Sequence, residues 1–81
     1  MAVHIGKEIK KVFVERNMTV VALSRELGCH RTNIYRIFDS PTVDSGVLSR
    51  LSVILDFDFF KLYSEEIAPR LSDFDKENRS M

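Results

Sequence analysis

Apolar residues recur along this chain at the spacing of one helical face. Ile5, Ile9, Val12 and Phe13 fall at i, i+4, i+7 and i+8, while Lys7, Lys10 and Lys11 fall largely away from them. This predicts a first helix that ends near Asn17, a residue type that tolerates the left-handed conformation common at helix C-termini. Thr19 is placed to cap a second helix, because its hydroxyl can accept from an early backbone N–H. Leu23 and Leu27 form one face of that helix, and Gly28 stops it. A third helix is expected over Arg31–Phe38, with Ile34, Ile37 and Phe38 as its buried set. Pro41 then breaks the pattern, since it disfavours helix at Ser40 and lacks an amide donor. Asp44 or Ser45 can cap a fourth helix bearing Val47, Leu48, Leu51, Ile54 and Leu55. Asp58 can cap a fifth, with Phe59, Phe60, Leu62, Tyr63 and Ile67 as its apolar side. Pro69 is expected to end that helix and leave a flexible polar tail over 69–81. The pattern holds no strand signal, so the expected fold class is all-α, five helices in a compact domain over 1–68.

Composition narrows the picture only in part. The 81 residues suffice for one domain, 44% of them are hydrophobic, and Trp is absent. So short a chain buries a modest share of its surface and gains from dimerising. No apolar run reaches membrane-spanning length, and the start lacks a basic-then-apolar signal pattern. The single Cys29 excludes an intramolecular disulfide and fits a reducing cytoplasm, where it serves as a small buried hydrophobe. Overall charge is zero, with 12 basic and 12 acidic residues, but the charges are unevenly spread. From Lys7 to Arg36 seven basic residues stand against three acidic ones; from Asp39 onward five stand against nine. The basic half can turn toward an anionic partner.

Enzyme chemistry finds no support. His4 and His30 lack a second ligand at metal spacing, so no metal and no cofactor are expected. Glu65, Glu66 and the acidic residues of the tail form loose clusters without a pocket-forming context for acid–base work. There is no nucleophile with its base and no phosphate-cradling glycine loop.

The informative stretch runs from Val20 to Ile37. Two short helices joined by a tight turn pack at about 90–120° only if their contact positions are suitably filled. Leu23 and Leu27 supply the apolar side of the first helix, and Ser24 is small enough for a close approach. Gly28 opens the turn, Cys29 can tuck under it, and Ile34 and Ile37 close the contact from the second helix. With these residues the chain resembles the lambda-repressor and Cro type of helix-turn-helix family. The resemblance extends from Ile5 to about Tyr63 and takes in Leu48, Leu51, Ser52, Leu55, Asp56, Phe57 and Leu62.

The resemblance implies a sequence-specific regulator of transcription that sets Arg31–Phe38 into the major groove of double-stranded DNA. With Ile34, Ile37 and Phe38 inward, Arg31, Thr32 and Tyr35 are the expected base-reading residues, joined by His30 just before the helix. Asn33 and Arg36 at the flanks, and Thr19 at the start of the second helix, are the expected phosphate contacts. Two departures from the family pattern stand out. Val20 occupies a position where the family often carries Gln, and the following loop holds Asp39 and Asp44 rather than cations. Fewer neutralised phosphates mean a smaller salt-dependent affinity term, and so more reliance on dimerisation.

The apolar residues of the last two helices exceed what one small core needs. Phe57, Phe59, Phe60 and Tyr63 are the expected surface of a homodimer, which would act as a cytoplasmic repressor by excluding polymerase. The alternative is a protein-interaction module, such as an antitoxin or adaptor, whose acidic C-terminal half binds a basic partner such as a toxin.

Overall fold

The computed structural model describes residues 3–79 and, within the last helix, side chains as far as Leu71. Five helices follow one another: α1 (Ile5–Glu15), α2 (Val20–Leu27), α3 (Arg31–Asp39), α4 (Ser45–Ile54) and α5 (Phe60–Arg79). No strand is present among the described residues. The helices start where local chemistry allows. Thr19 Oγ1 accepts from Ala22 N at 3.1 Å, Asp44 Oδ2 from Val47 N at 3.2 Å, and Asp58 Oδ1 from Phe60 N at 3.1 Å. Each cap satisfies one of the amides that a helix start leaves without an intrahelical partner. Just beyond α1, Asn17 takes a φ of 57°, the left-handed turn its residue type tolerates.

One core joins these elements. Ile5, Ile9, Val12 and Phe13 of α1 meet Leu23 and Leu27 of α2, Ile34 and Phe38 of α3, and Leu48 and Leu51 of α4. Leu55 and Phe59, on the link into α5, complete it. Phe13 and Phe38 pack tilted with ring centroids 5.2 Å apart, and among the described residues no polar or charged residue is buried. Helix α3 therefore rests on α1 and α2, and α2 rests on α4.

Hydrogen bonds between distant residues fix this arrangement at three places. Ile5 N donates to Pro41 O at 3.1 Å and Gly6 N to Ser40 O at 2.9 Å, so the carbonyls after α3 cap the start of α1. At the other end of α1, Arg16 donates through Nε to Leu55 O and through Nη2 to Asp56 O, each at 2.8 Å. Asp56 itself adopts a φ of 52°, so the guanidinium holds a turn that an L residue rarely takes. Arg50 Nη2 donates to Leu27 O at 2.8 Å, tying α4 to the end of α2. Replacing Arg16 with Met is expected to lower stability by about 1–3 kcal/mol, the cost of leaving charge-assisted carbonyl bonds unmade. Urea denaturation checks this: the midpoint should fall with the slope unchanged.

The structure corrects the expectations at three places. Phe59 is fully buried, so it belongs to the core and offers nothing to a dimer surface. Ile37, expected among the buried set of α3, is only partly buried. Pro69 does not end the last helix, which continues to Arg79. A proline there removes a single intrahelical bond, the one to the Glu65 carbonyl, and the cost is smallest at a solvent-exposed position where water can take that carbonyl. The expected flexible tail is thus helical as far as Arg79, and its last two residues lie outside the described residues. The long helix carries the chain well beyond its core and gives the molecule overall dimensions of 53 × 20 × 19 Å.

Candidate nucleic-acid interface

The site is built from the end of α2, a three-residue turn and α3. Gly28 takes a φ of 74°, and its N–H reaches Arg25 O at 3.3 Å while the N–H of Cys29 reaches Ser24 O at 3.0 Å. This is a Schellman motif, which satisfies carbonyls that the end of α2 leaves open. The nearest atom to a Cβ built at Gly28 is Arg50 Nη2 at 3.9 Å, so backbone conformation rather than crowding demands the glycine.

His30 then opens α3. Its Nδ1 accepts from Thr32 N at 3.2 Å and lies 2.9 Å from Thr32 Oγ1. An imidazole thus does the work usually given to Ser, Thr, Asp or Asn at a helix start. The same device recurs at α1, where His4 Nδ1 accepts from Lys7 N at 3.2 Å. Neither cap was expected from the sequence, because histidine is not a preferred capping residue.

Beyond the cap, the two faces of α3 separate cleanly. Ile34 and Phe38 are buried, whereas Arg31, Thr32, Asn33, Tyr35 and Arg36 are all exposed, Tyr35 to 54%. The guanidinium groups of Arg31 and Arg36 make no hydrogen bond or ion pair among the described residues, unlike those of Arg16 and Arg50, which hold backbone carbonyls. Every residue expected to touch bases or phosphates on α3 therefore lies on one solvent-facing surface. Thr19 is also exposed, at the start of α2, where its hydroxyl oxygen serves as the cap and can still donate. Cys29 is half-buried and lines an open cleft of about 440 Å³ with Ile37, Val43 and Val47, a feature the linear pattern did not reveal. Lys7, Lys10 and Lys11 are exposed on α1.

The residues expected at a dimer surface divide. Phe57 and Tyr63 are partly buried against the core, Phe57 packing tilted against Phe59 with centroids 4.9 Å apart. Only Phe60 of that set stands exposed, at 39%. Further along α5, Ile67 and Leu71 are exposed at 38% and 54%. Neither was among the residues expected at the interface: Ile67 was expected on the apolar side of the fifth helix, and Leu71 in the tail beyond Pro69.

Among the described residues no cluster of three His, Cys, Asp or Glu side chains could hold a metal ion, and no helix is long and apolar enough to cross a membrane. No family model, curated protein or solved structure matches the chain.

Proposed function

We propose that this chain is a helix-turn-helix protein of the lambda-repressor and Cro type, which binds double-stranded DNA with α3 in the major groove and regulates transcription. The observation that carries the reading is the two-faced character of α3. Its buried side fixes it to α1 and α2, and its exposed side gathers Arg31, Thr32, Asn33, Tyr35 and Arg36 with both arginines unpaired among the described residues. A planar guanidinium at the tip suits guanine O6 and N7, the commonest base-specific pairing. Backbone phosphates would set the register through Thr19, Asn33 and Arg36.

The last helix supports binding as a two-fold dimer. The 20 residues of α5 amount to about 30 Å of helix, far more than its first turn needs for docking on the core. Phe60, Ile67 and Leu71 leave an exposed apolar stripe along it, of the kind that marks an interaction surface. In a dimer the two α3 helices would face successive major grooves about 34 Å apart, and occupying a promoter would exclude polymerase. The same stripe also suits the second reading, in which α5 docks a partner protein such as a toxin.

Selection from randomised duplexes with the purified protein tests the primary reading. The expected product is an inverted repeat whose binding weakens steeply with salt. Recovery of no sequence at low salt would remove the DNA reading and favour the partner protein. For the dimer, Ile67→Asp with Leu71→Asp is expected to lower self-association at least tenfold by sedimentation, since each charge would be forced against apolar surface. Unchanged self-association would place the interface elsewhere.

A further inference from the structure

The open cleft of about 440 Å³ lies between α3 and the start of α4. Its apolar lining comes from Cys29, Ile37, Val43 and Val47, all only partly buried, so each keeps surface open to a guest. Much of its polar lining is already engaged. Asp44 Oδ2 accepts from Val47 N at 3.2 Å, Arg50 Nη2 donates to Leu27 O at 2.8 Å, and Ser40 Oγ donates to Arg36 O at 2.7 Å. On the α3 wall, however, the Arg36 guanidinium and the Asn33 side-chain amide have no partner among the described residues. Three residues apart on one helix, these two side chains are neighbours, with Ile37 beside them. Two guanidinium groups against one carboxylate give the lining a net positive charge. Asn33 and Arg36 also belong to the exposed surface read above as meeting DNA, so cleft and surface share them.

We propose that this cleft binds a small apolar carboxylate, and that the bound acid takes Arg36 away from the DNA backbone. The volume is that of a small-molecule site, and an apolar lining with a few polar groups at one edge is the usual make-up of such a site. The apolar body would lie on Ile37, Val43 and Val47. The carboxylate would meet Arg36, whose planar fork matches it with two parallel hydrogen bonds, and Asn33 offers a further donor beside it. A cationic ligand is disfavoured by the guanidinium groups, and a purely apolar one leaves Arg36 without a partner. The binding part stands on the cleft alone. The regulatory part rests on the DNA-binding reading above. The N–H groups that hold a carboxylate cannot also hold a phosphate, so acid and duplex weaken each other's binding by the same factor.

Phenylbutyrate and its uncharged counterpart phenylbutanol serve as probes, titrated into the labelled full chain without DNA at matched ionic strength. Backbone amide shifts should change at Cys29, from Asn33 to Ile37 and from Val43 to Val47. The acid should bind about two- to fivefold tighter than the alcohol, the effect of one exposed ion pair. Arg36→Gln should erase that difference. Val43→Asp should abolish binding of both compounds; its melting temperature reports whether the fold is intact, and Arg36→Gln, at an exposed site, carries the test if it is not. Equal binding of acid and alcohol by the wild type, or shifts confined to α5, would overturn the proposal. On the duplex recovered by selection, saturating phenylbutyrate should weaken wild-type binding and reduce the salt slope by about one, as loss of one phosphate contact does. With Arg36→Gln it should do neither. Occupation of the cleft with no change in DNA affinity would overturn the regulatory part. If selection recovers no sequence at all, the DNA-binding reading falls and the regulatory part with it, while the titration without DNA still decides whether the cleft takes a carboxylate.

Discussion

Replacing Gly6 with alanine is expected to remove much of the protein's stability. A Cβ at this position would lie 2.4 Å from Ile37 O and 2.5 Å from both Phe38 O and Ser40 O. All three are backbone atoms, so no side chain can swing aside. The start of α1 would have to move away from the end of α3, and with it the bonds from Ile5 N to Pro41 O and Gly6 N to Ser40 O. Overpacking costs about 1–3 kcal/mol and each lost bond about 0.5–1.5 kcal/mol, together about 2–6 kcal/mol. A domain of this size holds only about 4–12 kcal/mol in all, at typical stability per residue. Thermal denaturation should show the midpoint falling by about 10–45 °C. A midpoint within a few degrees of the wild type would mean that α1 and the link after α3 are not in this close contact.

Arg31→Ala should have the largest effect on binding. Arg31 sits in the first turn of α3, exposed and unpaired among the described residues, beside the His30 cap. No interaction within the fold is lost on its removal, so the fold should keep its melting temperature. Loss of one bidentate arginine–guanine contact costs about 1–3 kcal/mol per half-site, roughly five- to 150-fold in affinity. The preference at one base pair of each half-site should relax at the same time. Arg36→Ala, by contrast, should weaken binding to all sequences alike and reduce the salt slope by about one. Competition titrations with the selected duplex and single-base variants separate the two patterns.

Much of this was legible along the chain, and the rest was hidden for physical reasons. The helix spacing of apolar residues located α1 to α4 to within a residue or two, because burial demands that period wherever one face meets a core. Thr19, Asp44 and Asp58 were legible as caps, and Asn17 and Gly28 as left-handed turns, since each acts through its own neighbours in sequence. The exposed side of α3 followed from the same period: placing Ile34 and Phe38 inward leaves Arg31, Thr32 and Tyr35 outward.

What escaped involves partners far apart in sequence or residues in unaccustomed roles. Gly6 lies within a helix, where glycine is unfavourable, and its need is set by carbonyls more than thirty residues away. Arg16 reads as one more surface cation until Leu55 and Asp56 are brought beside it. Phe59 has the composition of an interface residue, but the link after α4 turns its ring inward to close the core. Pro69 is a helix breaker by residue type, yet a single missing bond does not stop a helix whose neighbouring bonds remain intact. The imidazole cap of α3 needed atoms rather than letters, since only the distances show His30 Nδ1 accepting from the Thr32 N–H.

The central claim, that α3 is the surface that meets DNA, is tested most directly by backbone amide chemical shifts of the labelled protein during titration with the selected duplex. The account predicts the largest changes over Cys29 to Arg36, a second group at Thr19 to Ala22, and little change from Glu65 to Leu71. Large changes along α5 with α3 undisturbed would contradict it, and would show that the protein meets its partner with the opposite end of the fold.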